Sequence, residues 1–95
     1  MTPPNFDTVS FYSKDDCPWC DLARKLLVEK GIKIAWERKV GRDVTPAQFK
    51  TLAASHNWSP ATVPLIFYYD KDDLSGGWTL IGGYTELEKY FDHAE

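Results

Sequence analysis

Two cysteines, Cys17 and Cys20, are separated by Pro18 and Trp19, and the chain has no other cysteine. Thiols at this spacing can close a disulfide and exchange it with the disulfides of other molecules. A bridge over so short a loop removes little entropy from the unfolded chain, so structural stabilisation is a poor reason for it. Secreted domains of this size usually carry several cysteine pairs. The pair therefore indicates redox chemistry in a protein that is not exported.

The residues around the pair predict a junction between a strand and a helix. A β-prone run spans residues 8–12, and Pro18 suits the first turn of a helix that starts at the cysteines. The apolar residues that follow recur at helical spacing: Leu22, Ala23, Leu26 and Leu27. Free N–H groups and the helix dipole at such a junction stabilise a thiolate. We expect Cys17 to be the nucleophile, with Lys14 adding positive charge nearby, and Cys20 to be the resolving thiol.

The segment after the first helix predicts a half-exposed strand. Ile32, Ile34 and Trp36 alternate with charged residues, so we expect these three side chains on one face. A second helix is predicted from Thr45, whose hydroxyl stands three residues before a glutamine as in a capping box, to about His56.

The C-terminal half contains two β-prone runs, at residues 65–69 and 78–81. The polar segment between them, residues 70–77, predicts the exposed loop of a hairpin. Thr85 and Glu88 have a second capping-box spacing, which predicts that a last helix opens there. The predicted order of elements is β-α-β-α-β-β-α.

This order predicts one mixed four-stranded sheet. Strands joined through a helix run parallel, whereas the last two strands form an antiparallel hairpin. Helices are expected on both faces of the sheet, which is the arrangement of the thioredoxin fold. The length of 95 residues fits a single domain over residues 1–95.

The composition limits the classes of partner. Acidic and basic residues are mixed along the chain and the formal net charge is −3, so no basic stripe for nucleic acid or anionic lipid is expected. No apolar run approaches the roughly 18 residues of a membrane helix, and the first residues lack the pattern of a signal peptide. We expect a soluble, cytoplasmic monomer.

Three segments resemble the active-site segments of the dithiol glutaredoxins. They are Cys17-Pro-Trp-Cys20, Thr62-Val-Pro64 and Gly82-Gly-Tyr-Thr-Glu86, in the same order and at similar intervals. The resemblance implies the glutaredoxin variant of the thioredoxin fold and a glutathione-dependent enzyme that reduces protein disulfides and protein–glutathione mixed disulfides. Glutathione is then the reductant, no metal is expected, and ribonucleotide reductase is a suggested protein partner.

The resemblance also implies roles for single residues. Pro64 forms a cis peptide bond that faces the cysteines, and Val63 pairs with the backbone of glutathione as a strand would. The γ-glutamyl carboxylate lies at the N-terminus of the last helix, and Lys14 meets the glycyl carboxylate. The implied glutathione contacts are Lys14, Trp19, Thr62, Val63, Pro64, Gly83, Tyr84, Thr85 and Glu86.

Two positions depart from the family pattern. Trp19 stands where the family more often has tyrosine, and Glu86 stands where it usually has aspartate, so the shape of the groove and the contact to the ligand ammonium are expected to differ. Simpler interpretations stay open for other residues: Thr85 can be a helix cap, and the Gly82-Gly83 pair can serve only to turn the chain.

Two other functions share this fold and chemistry. One is a thioredoxin-like reductant recharged by a flavoprotein reductase. The motif typical of thioredoxins is Trp-Cys-Gly-Pro-Cys, whereas here proline directly follows the first cysteine. The other is a dimer that holds an iron–sulfur cluster between two Cys17 thiolates and two glutathiones. The family resemblance implies that Pro18 disfavours this arrangement. A zinc site would need His56 and His93 beside the cysteines, at no familiar ligand spacing.

Overall fold

The computed structural model describes residues 6–70 and 77–92. The strands are β1 (Thr8–Ser13), β2 (Lys33–Lys39), β3 (Leu65–Tyr69) and β4 (Trp78–Gly82), and the helices are α1 (Pro18–Glu29), α2 (Pro46–Ser55) and α3 (Tyr84–Asp92). The predicted order β-α-β-α-β-β-α is confirmed. Most of the predicted hairpin loop and His93 lie outside the described residues. No helix among the described residues is long and apolar enough to cross a membrane.

The four strands form one mixed sheet in the order β2-β1-β3-β4. β1 runs parallel to β2 and antiparallel to β3, and β3 runs antiparallel to β4. Tyr12 near the end of β1 pairs with Leu65 at the start of β3, and Ile66 pairs with Gly82 at the end of β4. The segments that leave β1, enter β3 and leave β4 therefore meet at one edge of the sheet.

Two hydrophobic clusters lie on opposite faces of the sheet. The buried members of the first, between the sheet and helices α1 and α3, are Phe6, Val9, Phe11, Ala23, Leu27, Ile66, Ile81 and Leu87. The buried members of the second, between the sheet and α2, are Tyr12, Phe49, Ala53, Leu65 and Phe67. Neighbouring residues on a strand point to opposite faces, so each strand contributes to both clusters. Helices on both faces are thus confirmed.

The helix ends follow local sequence signals. Thr45 precedes α2, and its hydroxyl accepts a hydrogen bond from the Gln48 N–H at 3.0 Å, while the Gln48 amide oxygen accepts from the Thr45 N–H at 2.9 Å. This is the predicted capping box. Helix α1 ends at Glu29 with Lys30 as its C-cap, and the next residue, Gly31, has a φ of +71°, a left-handed conformation that glycine adopts without steric cost.

The predicted alternation along the second strand is wrong beyond Ala35. β1 pairs Val9 with Ile34 but Ser10 with Trp36, so Ala35 is an additional residue that bulges the strand. Ile34 consequently packs on the α1 and α3 side, whereas Trp36 packs on the α2 side. The two side chains lie on opposite faces because one inserted residue reverses the alternation.

The same bulge turns Glu37 towards α1. Its carboxylate accepts hydrogen bonds from the Arg24 guanidinium, with Nε to Oε1 at 3.0 Å, and from the Ser13 hydroxyl. Burial raises the pKa of Glu37, but the hydrogen bonds from Arg24 and Ser13 outweigh burial, and the pKa lies below its ordinary value. The carboxylate is therefore ionised at neutral pH and ties β2 to α1.

Ser10 and Ser13 provide a matched pair for testing polar groups in the core. Both are fully buried on β1, but the Ser10 hydroxyl has no hydrogen-bond partner among the described residues, while the Ser13 hydroxyl donates to Glu37. We expect Ser13→Ala to lower the free energy of unfolding by about 1–3 kcal/mol, and Ser10→Ala to leave it unchanged or raise it by up to about 1 kcal/mol. Urea denaturation of both variants measures the difference. A larger loss in Ser10→Ala than in Ser13→Ala would contradict the assignment.

Candidate active site

Cys17 and Cys20 form a disulfide at the start of α1. Cys17 is the N-cap residue of the helix, with φ −119° and ψ 97°, and its sulfur accepts a hydrogen bond from the Cys20 N–H at 3.2 Å. Cys17 is 5% exposed, and Cys20 is completely buried. An incoming thiol therefore reaches Cys17 in preference to Cys20.

Helix geometry favours a thiolate on Cys17. An N-cap side chain faces the free N–H groups of the first turn and the positive end of the helix dipole, and both lower the pKa of a thiol. The Cys20 N–H already points at the Cys17 sulfur in the disulfide form. Reduction places a negative charge where donors are in position, so the arrangement suits nucleophilic attack by Cys17.

Asp15 and Asp16 stand just before this nucleophile, and their negative charge opposes a thiolate. The Asp15 carboxylate accepts from Lys39 at 3.0 Å and lies 3.5 Å from Arg42, two cations at and just beyond the end of β2. The hydrogen bond and the charge of Lys39 hold the pKa of Asp15 below its ordinary value. These two cations offset the charge of Asp15 beside the disulfide.

A groove of about 330 Å³ lies beside the first turn of α1. Its lining contains eight of the nine residues expected to contact glutathione, namely Trp19, Thr62, Val63, Pro64, Gly83, Tyr84, Thr85 and Glu86, together with Trp58. The ninth, Lys14, is exposed and does not line the groove. Three segments that are distant in the sequence therefore form one surface.

The segment before β3 forms one side of the groove. The peptide bond between Val63 and Pro64 is cis, as the family resemblance implies. Pro64 is buried, Val63 is half-buried and Thr62 is exposed. The backbone of this segment lies just before Leu65, the first paired residue of β3, so it can pair with an extended peptide in the groove.

The first turn of α3 forms the opposite side, and it begins two residues earlier than a cap at Thr85 predicts. The helix starts at Tyr84, so Thr85 lies inside the first turn, and the predicted capping box of Thr85 with Glu88 is wrong. The Gly83 N–H donates to the Glu86 carboxylate at 2.8 Å instead. An acidic residue in the first turn both accepts this hydrogen bond and interacts favourably with the helix dipole.

Gly82 makes room for this carboxylate. Its φ is +125°, and a Cβ at this position would lie 2.8 Å from Cγ and 2.9 Å from Cβ of Glu86. A Cβ at Gly83 would lie 3.3 Å from the Glu86 carboxylate oxygen Oε1. The Gly82-Gly83 pair therefore does more than turn the chain, because it provides the space in which the Glu86 side chain folds back.

Trp19 and Tyr84 connect α1 with α3. Their ring centroids are 5.7 Å apart, and the rings are tilted by 45°. Trp19 is 57% exposed, so much of its indole faces solvent beside the disulfide. The two rings form an aromatic part of the groove lining, and such a surface can support the apolar part of a bound thiol.

Trp58 is the groove residue that the sequence reasoning missed. It lies in a segment of turn-forming residues and is half-buried against the α2-side cluster. A large aromatic residue in an otherwise polar loop, four positions before Thr62, was the signal that could have identified it.

Metal ligands are not grouped in the part of the chain that the structure describes. No cluster of three or more histidine, cysteine, aspartate or glutamate side chains suited to a metal occurs there. His56 packs its ring edge-on against Phe67, with centroids 5.0 Å apart.

The fold and the disulfide define the class of this protein. It is a thioredoxin-fold domain with a disulfide-forming Cys-x-x-Cys centre at a helix N-terminus, which is the architecture of thiol–disulfide oxidoreductases. Within that class the chain is glutaredoxin-like, because its structural neighbours are glutaredoxins and its Cys17–Cys20 pair fits their motif.

Known proteins support this classification at several levels of similarity. Glutaredoxin 1 from Francisella tularensis, solved with cacodylate, is 29% identical with a TM-score of 0.63 over 90% of this chain and 93% of that one. A glutaredoxin from Brucella melitensis, at 19% identity, has a TM-score of 0.61 over 98% of this chain and 87% of that one, and it shows the fold alone.

A longer relative is known from its sequence. The hybrid peroxiredoxin hyPrx5 of Haemophilus influenzae is 32% identical over 85 residues, which are 90% of this chain but 30% of that protein. The chain thus spans less than a third of the curated relative that it matches. No family model matches the chain.

Gly82 gives a direct test of the Glu86 arrangement. We expect Gly82→Ala to lower the free energy of unfolding by about 1–3 kcal/mol, because alanine disfavours the positive φ and its Cβ meets the Glu86 stem. Gly31→Ala is the control, since Gly31 also has a positive φ but nothing lies within 4 Å of a Cβ there. Chemical denaturation should show a larger loss for Gly82→Ala, and the excess should disappear in a Glu86→Gly background, which removes both the Cβ and the Cγ that the added methyl group would meet. An excess that persists there would contradict the role of Glu86.

Proposed function

We propose that the protein is a glutathione-dependent thiol–disulfide oxidoreductase that reduces protein disulfides and protein–glutathione mixed disulfides. The observation that carries the proposal is the groove beside the disulfide, whose two sides are the segment before β3 and the first turn of α3. One side offers a backbone for an extended peptide, and the other offers N–H groups for a carboxylate. Glutathione is a small peptide with a thiol and two carboxylates, and the groove suits it.

The proposed cycle on a mixed disulfide needs Cys17 alone. The Cys17 thiolate attacks the glutathione sulfur, the target protein leaves as a thiol, and Cys17 becomes joined to glutathione. A second glutathione thiolate then attacks the sulfur of the bound glutathione, oxidised glutathione leaves, and the Cys17 thiolate is restored. Two glutathione molecules, one of them from the substrate, thus become one disulfide while one protein thiol is recovered.

Reduction of a protein disulfide uses both cysteines. Cys17 attacks one sulfur of the target and forms a mixed disulfide, and Cys20 then attacks Cys17, which releases the target as a dithiol and leaves the Cys17–Cys20 disulfide. Two glutathione thiols restore the dithiol and leave as oxidised glutathione. Cys17 and Cys20 lie close enough to form this disulfide, with their Cα atoms 5.2 Å apart.

The proposed ligand contacts follow from the walls of the groove. The backbone of Val63 pairs with the cysteinyl part of glutathione, and the N-terminus of α3 holds its γ-glutamyl carboxylate. The Glu86 carboxylate already occupies the Gly83 N–H, so the glutathione carboxylate is held further into the first turn, at Thr85 and Glu86. Lys14, which is exposed outside the groove, approaches the glycyl carboxylate only by extending its side chain.

The first experiment measures reduction of a glutathionylated peptide by glutathione, coupled to glutathione reductase and NADPH. We expect wild type and Cys20→Ser to turn over and Cys17→Ser to lose at least about a thousandfold in rate, because only the nucleophile is indispensable. Cys20→Ser should fail on a substrate with an intramolecular protein disulfide. Wild-type protein that is inactive here but is reduced by a flavoprotein thioredoxin reductase would overturn glutathione dependence in favour of the thioredoxin-like alternative.

An iron–sulfur function has its own signature. Protein purified without oxygen would be brown and would contain iron and inorganic sulfide if Cys17 thiolates of two chains held a cluster. Colourless protein with full activity in the coupled assay supports the oxidoreductase function instead of cluster binding.

Two classes of protein target are proposed, both in a reducing compartment such as the cytoplasm. Ribonucleotide reductase is suggested by the family resemblance, and a thiol peroxidase is suggested by the hybrid peroxiredoxin relative. We expect the reduced protein, with glutathione, glutathione reductase and NADPH, to sustain turnover of one of these acceptors, measured as NADPH consumption. The Cys17→Ser variant is the control, and failure of wild type with both acceptors would reject these targets while the peptide assay stands.

A further inference from the structure

We infer that Trp58 positions the groove and determines its specificity, an assignment that rests on the proposed function. Among the residues that line the groove, Trp58 is the one that lies outside all three glutaredoxin-like segments. Its indole is hydrogen-bonded to one side of the groove and faces the other side, and it lines both the groove and a second cleft. These three observations are independent of one another.

The end of α2 directs Trp58 towards the groove. Asn57 has a φ of +59°, and its N–H bonds to the Ala54 carbonyl at 3.0 Å, while the Trp58 N–H bonds to the Ala53 carbonyl at 2.8 Å. This pair of hydrogen bonds is a Schellman motif, which reverses the chain at a helix C-terminus. The backbone of Trp58 is thus fixed to α2 by the helix end itself.

The indole in turn fixes the segment before β3. Its Nε1–H donates to the Thr62 carbonyl at 3.1 Å and lies 3.2 Å from the Thr62 hydroxyl oxygen. Because Thr62 immediately precedes Val63, this hydrogen bond determines where the Val63 backbone lies. Trp58 therefore orients the backbone proposed to pair with glutathione. Its indole N–H is bonded to Thr62 and so does not bind the ligand itself.

The six-membered part of the ring faces the other side of the groove. A Cβ added at Gly83 would lie 3.4 Å from Cζ2 of Trp58 and 3.4 Å from the Pro64 carbonyl oxygen, so the ring and the start of α3 face each other across a space about one methyl group wide. Trp58 also lines a cleft of about 440 Å³ on the α2 side, with Pro46, Phe49, Lys50, Ala54, Ser59, Pro60 and Ala61. The ring is the partition between the two, and it limits the groove to a small peptide.

Two substitutions separate the hydrogen bond from the ring. Trp58→Phe keeps an aromatic partition but removes the N–H, and Trp58→Ala opens the groove into the second cleft. Trp78→Phe is the control, because Trp78 is 37% exposed on β4 and lines neither space. Each variant is assayed with two forms of one peptide, a glutathione mixed disulfide and a cysteine mixed disulfide, with glutathione as reductant.

We expect Trp58→Phe to raise KM for the glutathionylated peptide about threefold to tenfold with kcat within about twofold, as the loss of one orienting hydrogen bond predicts. Trp58→Ala should raise that KM further and reduce the preference for the glutathionylated over the cysteinylated peptide. Trp78→Phe should preserve both values. A purely structural role would lower the melting temperature and leave the preference unchanged.

The outcomes separate this assignment from the proposed function. If wild type prefers the glutathionylated peptide and Trp58→Phe retains the full preference and the wild-type KM, the assignment of Trp58 is overturned and glutathione dependence stands. If wild type shows no preference, glutathione recognition itself is rejected, and the inference falls with it. Trp58→Phe keeps the test decisive if Trp58→Ala does not fold.

Discussion

The hydrogen-bonded pairing of β3 with both of its neighbours is the constraint on which the site depends. Tyr12 pairs with Leu65, and Ile66 pairs with Gly82, so three chain segments leave or enter the sheet side by side. The segment after β1 carries the cysteines, the segment before β3 carries the cis proline, and the segment after β4 begins α3. A shift of this register by one residue would exchange the faces of the strand and separate these segments.

Two helix N-termini meet at this edge, and their partial positive charges give it a consistent electrostatic character. Cys17 caps the N-terminus of helix α1, and the first turn of α3 lines the groove. The Glu86 carboxylate offsets part of the positive charge at the start of α3, since it accepts a hydrogen bond from the Gly83 N–H. Asp15, near α1, is instead paired with Lys39. The positive potential of the two helix N-termini suits a thiolate and a carboxylate, the two anionic groups of the proposed glutathione reaction.

The sequence was sufficient for the order of elements because periodicity and capping are local, as Thr45 illustrates with its complete capping box. It could not show that Trp36 changes faces, because a bulge depends on how β1 and β2 pair and not on either strand alone. Thr85 and Glu88 are residue types that form capping boxes. The Glu86 carboxylate instead accepts the Gly83 N–H, because Gly82 and Gly83 leave space for the Glu86 side chain. Trp58 was not predicted as a site residue because its role depends on where the fold places it relative to Thr62 and Gly83.

The division of the core into two layers has a consequence for how such a domain can diversify. The disulfide and the start of α3 belong to the elements that pack on one face of the sheet, whereas Trp58 and the end of α2 belong to the other. Apart from Trp58, which shares the groove with the start of α3, the side chains of the two layers are separated by the sheet and couple weakly in energy, so changes in one layer need little compensation in the other. Electron transfer can therefore be conserved on one layer while substitutions on the other adjust which molecules are admitted, and new target preferences can arise without rebuilding the reactive centre.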